Sequence, residues 1–283
     1  KKTPYNLTGN MYIKASNAQR IPLVYISAAA AFKMLHKPET NFSSIKNVQP
    51  GVYATSFSYS ATVKNNTLQS SNVIGVLPGT EKKDEYVFIT AHYDRLGKKD
   101  SVIYYGADDD GSGTTSVLQL AEAFTKAAKK GYAPKRNIVF MTVSGEEEGL
   151  WGSEYYSQHP IFPLDKTTVD LNIDMVGRID PERNYGDSMN YVYTIGEDKL
   201  SSDLLKITDS INNKFTNIEL DRKFNDPKDP NRFYYRSDHY NFAVKGVPII
   251  FYFNGTHADY HQPTDTVDKI NFGLMAKRVQ LVF

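Results

Sequence analysis

The sequence contains no cysteine, which excludes disulfide bonds, thiolate metal sites and cysteine nucleophiles. Any metal ion must therefore be bound by histidine, aspartate or glutamate side chains. Histidine is also scarce, because the chain of 283 residues has only six. The six are His36, His92, His159, His239, His257 and His261. Candidate histidine ligands are therefore confined to a few positions.

A strong charge of one sign and long hydrophobic runs are also missing. The 33 Lys and Arg residues stand against 32 Asp and Glu residues, which leaves a net charge of +1. This balance gives no electrostatic reason to expect nucleic acid or an anionic membrane as a partner. The longest apolar stretch, residues 23–32, is shorter than the roughly 20 residues that cross a bilayer. Hydrophobic residues make up 40% of the chain, so we expect a folded protein without a membrane span.

Two parts of the chain differ in pattern. Residues 1–60 combine a short predicted strand, a helix that begins after Ser27 and a loop rich in Asn, Ser and Pro. From about residue 71, apolar runs typical of strands alternate with segments of helical periodicity. The predicted strands are 21–26, 72–77, 86–91, 137–143, 169–173 and 247–253, and the predicted helices are 27–35, 114–130, 200–215 and 266–283. The alternation predicts an α/β domain with a mostly parallel sheet and helices on both faces.

Five polar clusters lie at the ends of these predicted elements. They are His92 with Asp94, then Asp108 to Asp110, then Glu146 to Glu148, then Asp174, and finally Tyr260 with His261. Ligands of open α/β sheets bind at the carboxyl ends of the strands, where separate loops meet. We therefore expect the five clusters to converge on one site.

The first cluster contains a histidine and a carboxylate two residues apart. On extended backbone the side chains of His92 and Asp94 point the same way. This suits a histidine ligand whose tautomer is fixed by a carboxylate behind it. A strand that ends in a polar turn explains the same pair.

The second cluster places Asp108, Asp109 and Asp110 between glycines, just before a predicted helix. Acidic residues at a helix start accept hydrogen bonds from free N–H groups and favour the helix dipole, which explains the motif without a metal. Three adjacent carboxylates also repel one another. A divalent cation would relieve that repulsion, and one carboxylate can bridge two cations.

The third cluster, Glu146 to Glu148, follows the strand predicted at 137–143. Adjacent side chains diverge, so Glu146 and Glu147 cannot occupy the same ligand position. One of them can bind a metal while its neighbour holds a water molecule. A solvated acidic turn is the alternative.

The remaining histidines leave the choice of one metal ligand open, and one of them lies in a motif that has the residue types of a serine hydrolase. His257 and His261 are four residues apart, and the sequence does not separate them as ligands. Ser237, Asp238 and His239 have the residue types of a hydrolytic triad, but contiguous residues do not form one. Since no G-x-S-x-G motif occurs either, serine hydrolase chemistry is not expected.

In the same order, the five clusters resemble the metal-site blocks of peptidase family M28, a family of zinc peptidases, and the likeness runs over about residues 72–270. It implies a three-layer α/β/α fold with a mixed, mostly parallel central sheet, and two Zn²⁺ ions per chain. The implied ligands are His92 and Asp174 for one zinc, Glu147 and His261 for the other, and Asp109 for both. The other implied roles are general base for Glu146, partner of the ligand histidine for Asp94, and hydrogen-bond donor to the tetrahedral intermediate for Tyr260.

Two features of the sequence fit the family pattern less well. Arg95 stands where close relatives often carry histidine, and we expect it to touch no ligand. Residues 21–35 resemble the end of a protease-associated insert. We therefore expect residues 1–60 to be part of such an insert and residues 61–283 to be the zinc peptidase domain, truncated at both ends.

The resemblance predicts a dizinc metallo-aminopeptidase that hydrolyses N-terminal residues of peptides with metal-activated water and a glutamate base. A carboxypeptidase or dipeptidase on the same scaffold is the alternative, followed by a glutaminyl cyclase or a catalytically inert binding protein. The aromatic residues 233–235 would either line the substrate pocket or belong to the core. The family and the absence of cysteine favour an extracytoplasmic bacterial protein that is secreted, periplasmic or surface-associated.

Overall fold

The computed structural model describes residues 26–36, 49–56, 58, 60 and 67–283. The chain divides into two units, Lys1–Gln69 and Ser70–Phe283. In the first unit, helix α1 (Ala28–Met34) begins after Ser27, whose hydroxyl accepts a hydrogen bond from the Ala30 backbone N–H at 3.2 Å. The predicted cap is therefore confirmed. The strand predicted at 21–26 and the loop predicted over 37–50 fall largely outside the described residues, and the insert over 1–60 stays a prediction.

The second unit alternates strands and helices along the chain. Its strands are β1 (Val73–Leu77), β2 (Lys82–His92), β3 (Lys98–Lys99), β4 (Val102–Ile103), β5 (Arg136–Val143), β6 (Thr167–Ile173), β7 (Tyr191–Ile195), β8 (Glu219–Asp221) and β9 (Ile249–Phe253). Its helices are α2 (Gly111–Lys129), α3 (Trp151–Gln158), α4 (Leu204–Phe215), α5 (His239–Ala243) and α6 (Phe272–Val282). Short 3₁₀ turns connect several of these elements.

Seven of the strands form one sheet in the order β1-β5-β2-β6-β9-β7-β8. The four central strands, β5, β2, β6 and β9, run parallel to one another. Strand β1 is antiparallel to β5, strand β7 is antiparallel to β9, and β8 is parallel to β7. Strands β3 and β4 pair separately. The expected mixed, mostly parallel α/β sheet is therefore confirmed.

Helices cover both faces of the sheet. Successive side chains of a strand point to opposite faces, so each central strand packs against both layers of helices. On one face, Ile89 of β2 packs with Leu120 of α2 and Met275 of α6. On the other face, the neighbouring Phe88 packs with Tyr156 of α3 and Phe242 of α5. Burying each large apolar side chain contributes about 1.5–3 kcal/mol. This explains the apolar runs of the central strands and gives the expected three layers.

Some elements differ from the prediction. The helix predicted over 266–283 begins only at Phe272, because the Asn271 side chain caps it by accepting from the Leu274 backbone N–H at 3.0 Å. A 3₁₀ turn, Val267–Lys269, precedes it. Strands β7 and β8 and helices α3 and α5 were not predicted. None of the described helices combines the length and the apolar character needed to cross a membrane.

Candidate metal centre

The parallel central strands place the predicted site residues at one edge of the sheet. Strand β2 ends at His92, Asp174 directly follows β6, and Glu146 and Glu147 follow β5. Because these strands run the same way, their carboxyl ends lie together. Two further segments reach this edge, and they carry Asp109 before α2 and His261 after β9. The predicted site residues therefore converge at one edge of the sheet, as expected.

One donor group is centred on the buried His92. Its Nε2 atom lies 3.4 Å from Asp109 Oδ1, 3.8 Å from Asp174 Oδ1 and 3.9 Å from Glu146 Oε2. This nitrogen is shielded from solvent and has no hydrogen-bond partner among the described residues. An orphaned imidazole nitrogen aimed at three carboxylate oxygens fits a divalent cation that takes nitrogen and oxygen ligands.

The second donor group lies on the other side of Asp109. The Nε2 atom of His261 is 3.2 Å from Asp109 Oδ2 and 3.3 Å from Glu147 Oε2. The donor atoms of His92, Glu146 and Asp174 lie within 4.8 Å of one another, and so do those of Asp109, Glu147 and His261. Asp109 thus offers Oδ1 to the first group and Oδ2 to the second, which is the arrangement of a carboxylate that bridges two ions.

The carboxylates of the two groups are crowded, and this crowding raises the pKa values of nearby side chains. Burial and the neighbouring Asp174 raise the pKa of Glu146 to about 10, although His92 opposes the change. Burial alone would lower the pKa of His92, but the carboxylates of Asp109 and Asp174 outweigh it and raise that pKa well above the usual value. Protons or cations must offset this buried negative charge. A divalent cation placed among these carboxylates would do so.

Asp94 connects His92 to the glutamate loop. The Nδ1 atom of His92 is 3.2 Å from the Asp94 backbone oxygen and 3.6 Å from its carboxylate. The same carboxylate accepts hydrogen bonds from the backbone N–H groups of Glu146, at 3.1 Å, and Glu147, at 3.2 Å. Asp94 is therefore more than the partner of one histidine, because it also fixes the turn that carries Glu146 and Glu147.

The other two aspartates of the second cluster support Asp109. The carboxylate of Asp110 accepts from the Gly113 backbone N–H at 2.9 Å, so it caps α2 as expected for an acidic helix start. A side chain at Gly113 would meet Asp110 Oδ2 at 2.3 Å, which makes a glycine necessary there. Asp108 Oδ1 accepts from the Gly177 backbone N–H at 2.7 Å. Asp110 therefore has the capping role, and the metal-binding interpretation concerns its neighbour Asp109.

The structure separates His257 from His261. His257 Nε2 lies 3.0 Å from Asp108 Oδ2, and His257 belongs to neither donor group. The backbone N–H groups of Asp108 and Asp109 both donate to the carboxylate of Asp265. His257 and Asp265 thus hold the loop that presents Asp109, whereas His261 faces Glu147. No pattern in the sequence indicated a role for Asp265.

Ser237 is a further residue that the sequence analysis did not assign to the site. Its hydroxyl donates to Asp174 Oδ2 at 2.6 Å and accepts from the side-chain amide of Asn172 at 2.9 Å. This leaves Asp174 Oδ1 directed towards His92. The adjacent His239 is buried against Phe251, and burial lowers its pKa to about 3, so it is neutral. Ser237 and His239 therefore have separate contacts and do not form a triad.

The expectation for Arg95 is wrong. Its Nη1 atom donates to Asp109 Oδ2 at 2.7 Å and also contacts Glu147 Oε1. The error has a physical reason, since Arg95 follows the end of β2 and its long side chain turns back towards the site instead of to the rim. Arg95 therefore touches two of the predicted ligands.

A cavity of about 430 Å³ adjoins both donor groups. Its other walls include the rings of Phe233, Tyr235 and Phe251, so two of the three aromatic residues 233–235 line it. The Tyr260 hydroxyl accepts from Arg236 Nη2 at 3.1 Å, and both residues line the cavity. Burial and the nearby Asp109 raise the pKa of Tyr260, so its hydroxyl keeps its proton. The site thus has an acidic floor and a partly aromatic wall.

Known proteins are similar to this chain in sequence or in fold. The probable leucine aminopeptidase of the fungus Trichophyton verrucosum (strain HKI 0517) is 29% identical over 226 residues, which are 78% of this chain and 57% of that protein. A zinc aminopeptidase from Bacillus subtilis is 25% identical with a TM-score of 0.56, over 75% of this chain and 48% of that one. An aminopeptidase from Aneurinibacillus sp. strain AM-1, 23% identical with a TM-score of 0.57, covers 75% of this chain and 46% of that one and shows the fold alone.

The chain thus spans about half the length of these proteins. The model of peptidase family M28 matches residues 72–283, which contain both donor groups and the whole seven-stranded sheet. This match covers well over half of the chain. The chain therefore belongs to peptidase family M28.

Proposed function

We propose that the chain is a dizinc metallo-aminopeptidase that removes N-terminal residues from peptides. The observation that carries this proposal is the position of Asp109, whose two carboxylate oxygens face two separate donor groups. The names of the relatives from Trichophyton verrucosum and Bacillus subtilis support an aminopeptidase, and the second name supports zinc. A single-metal site or an inert scaffold would not need both groups.

The proposed metal ligands are those that the family resemblance implies, and each of them lies in one of these groups. His92 and Asp174 would bind one zinc, Glu147 and His261 the other, and Asp109 both. Two zinc ions held here would lower the pKa of a water molecule towards about 7 and polarise the scissile carbonyl. The cavity beside the ligands leaves room for water and substrate, as in catalytic rather than structural zinc sites.

We assign the role of general base to Glu146, as the family resemblance implies. It lines the cavity, and its carboxylate lies beside His92 without being held by an ion pair to Lys or Arg among the described residues. Glu146 would take a proton from the attacking water and pass it to the departing amine. Positive charge bound beside it counteracts the carboxylates that raise its pKa, so the ionised form becomes available.

Tyr260 and the aromatic wall have roles on the substrate side. The protonated Tyr260 hydroxyl can donate to the oxyanion that develops on the carbonyl. Phe233, Tyr235 and Phe251 offer apolar surface to a substrate side chain. We therefore expect a preference for peptides that begin with an apolar residue.

One observation favours the second candidate, a carboxypeptidase or dipeptidase. Arg236 lines the same cavity, and a guanidinium can bind a peptide carboxylate with two parallel hydrogen bonds. The two candidates differ in the end of the peptide that they require. An aminopeptidase cleaves peptides with an amidated C-terminus but not peptides with an acetylated N-terminus. A carboxypeptidase shows the opposite preference, and a dipeptidase, which needs both free ends, cleaves neither.

The role of Glu146 can be tested with its neighbour as a matched control. Glu146→Gln should keep both zinc ions but lower kcat on a leucyl anilide by about 10²–10⁴, the range for loss of a general base. Glu148→Gln changes the same chemical group on an exposed residue of the same turn and should leave kcat unchanged. Near wild-type activity of Glu146→Gln, with its zinc content verified, would refute the assignment.

The compartment also remains a proposal. We propose an extracytoplasmic protein, because the family includes secreted bacterial aminopeptidases and the chain contains no cysteine. Cell fractionation followed by immunoblotting tests this directly. Recovery of the protein in the cytoplasmic fraction alone would contradict it.

A further inference from the structure

Arg95 brings a permanent positive charge into contact with one of the two donor groups. Its Nη1 atom donates to Asp109 Oδ2 at 2.7 Å and contacts Glu147 Oε1. Asp109 Oδ2 is also the oxygen that lies 3.2 Å from His261 Nε2. The guanidinium therefore shares its carboxylate partners with the donor group of Asp109, Glu147 and His261.

The surrounding residues hold the Arg95 side chain in this place. The side chain is only 10% exposed. Its stem passes over Gly106, where an added Cβ would lie 2.4 Å from Arg95 Cδ, so a larger residue at 106 would displace it. The Nε and Nη2 atoms have no hydrogen-bond partner among the described residues. The carboxylates of Asp109 and Glu147 are thus the groups that compensate this largely buried charge.

The other donor group has no such cation. Among the described residues, neither Asp174 nor Glu146 forms an ion pair with Lys or Arg, and the basic side chain beside them is the imidazole of His92. The His92 side chain is fully buried, whereas the His261 side chain is 40% exposed. The two groups therefore differ both in the positive charge already present and in their access to water.

We propose that Arg95 makes the two metal positions unequal, so that the ion bound by Asp109, Glu147 and His261 is held more weakly than the ion bound by His92 and Asp174. Arg95 neutralises part of the negative charge that attracts the weaker ion, and it repels a divalent cation at short range. An arginine does so at every accessible pH, because its guanidinium does not lose its proton in proteins. The inference rests on the proposed dizinc centre.

Zinc binding, rather than activity, provides the test. Metal-stripped protein is titrated with Zn²⁺ in a buffer that sets the free zinc concentration, and bound zinc is measured by elemental analysis. The wild-type chain should bind one ion tightly and a second more weakly. Arg95→Gln should tighten the weaker association by about 10- to 100-fold, the range over which residues behind the ligands alter metal affinity. The tighter association should change by less than about threefold.

Three further variants make the assignment specific. Arg95→Lys keeps the charge and should retain two unequal affinities. Lys98→Gln removes a positive charge from the exposed strand β3, close in sequence to Arg95, and should leave both affinities unchanged. His261→Gln should remove the weaker ion and keep the tighter one.

The outcomes separate this inference from the proposed centre. Two equal affinities in the wild-type chain, or loss of the tighter ion in His261→Gln, would overturn the role of Arg95 even if Arg95→Gln did not fold. A weakened or unchanged second association in folded Arg95→Gln would overturn it as well. A wild-type chain that binds no zinc would overturn the dizinc centre together with this inference.

Discussion

Asp170 provides a test of how this fold accommodates buried carboxylates away from the proposed ligands. It lies on β6 in the middle of the sheet and is completely buried. Its Oδ1 atom accepts from the Thr90 hydroxyl at 2.7 Å, but its Oδ2 atom has no partner among the described residues. Burial raises its pKa to about 8 from an ordinary value of 3.8, against the effect of the Thr90 hydrogen bond. Asp170 is therefore largely protonated at neutral pH.

The expected effect on stability follows from proton linkage. The folded protein binds the Asp170 proton more tightly than the unfolded chain does, so the stability from this group is present below about pH 4 and is lost as the pH rises through about 8. Each tenfold change in proton affinity corresponds to about 1.4 kcal/mol. Keeping Asp170 protonated at pH 7 therefore costs at most about 4 kcal/mol. An asparagine has the same shape and bears no such cost.

Asp170→Asn should consequently be more stable than the wild type by about 2–4 kcal/mol at pH 7–8, and the gain should shrink towards zero near pH 4. In a chain of this size the gain corresponds to a Tm higher by roughly 3–7 °C. Thermal unfolding is recorded across this pH range at constant total zinc. The exposed Asp100, replaced by Asn, is the matched control and should show no pH-dependent difference. A pH-independent difference for Asp170→Asn, or a loss of stability at pH 8, would refute the reasoning.

Two further predictions concern the proposed metal centre. Ser237→Ala should weaken zinc binding by about 10- to 100-fold, because Asp174 loses the hydrogen-bond donor that orients it. The control Ser202→Ala changes an exposed serine and should leave zinc binding unchanged. Equal zinc affinities of the two variants in a competition titration would contradict this. Chelation should abolish peptidase activity and lower the Tm, since an ion at 100 times its Kd stabilises the folded state by about 2.7 kcal/mol. Added Zn²⁺ should restore both, and activity that survives exhaustive chelation would exclude a metallopeptidase.

Much of this fold could be predicted because its signals are local. The central strands are apolar runs that end in polar residues, so His92 and Asp174 could be placed at strand ends from the sequence alone. An aspartate cap before α2 was predictable for the same reason, since an aspartate accepts hydrogen bonds at a helix N-terminus, but the helix begins at Gly111 and not at residue 114 as predicted. Strand β7 is as apolar and buried as the others, but long loops flank it and no repeating pattern identifies it.

The parts of the site that could not be predicted depend on contacts between distant segments. Asp265 accepts hydrogen bonds from Asp108 and Asp109, more than 150 residues away, and nothing in its own segment indicates this. The same holds for Ser237, which is next to two residues that suggest another chemistry. Arg95 is the clearest case, since its sequence position suggests the rim and only the path of its side chain over Gly106 brings it to Asp109.

Asp94 explains how two adjacent glutamates can serve different purposes. Its carboxylate accepts from the backbone N–H groups of both Glu146 and Glu147, so the turn is fixed while the two side chains are free to diverge. Glu146 then lies beside His92, and Glu147 lies beside His261. Because the backbone oxygen of Asp94 also contacts His92 Nδ1, one residue sets the relative positions of a proposed ligand for each ion and of the proposed base. The two-residue spacing between His92 and Asp94 therefore helps to set the distances among the proposed ligands and the proposed base.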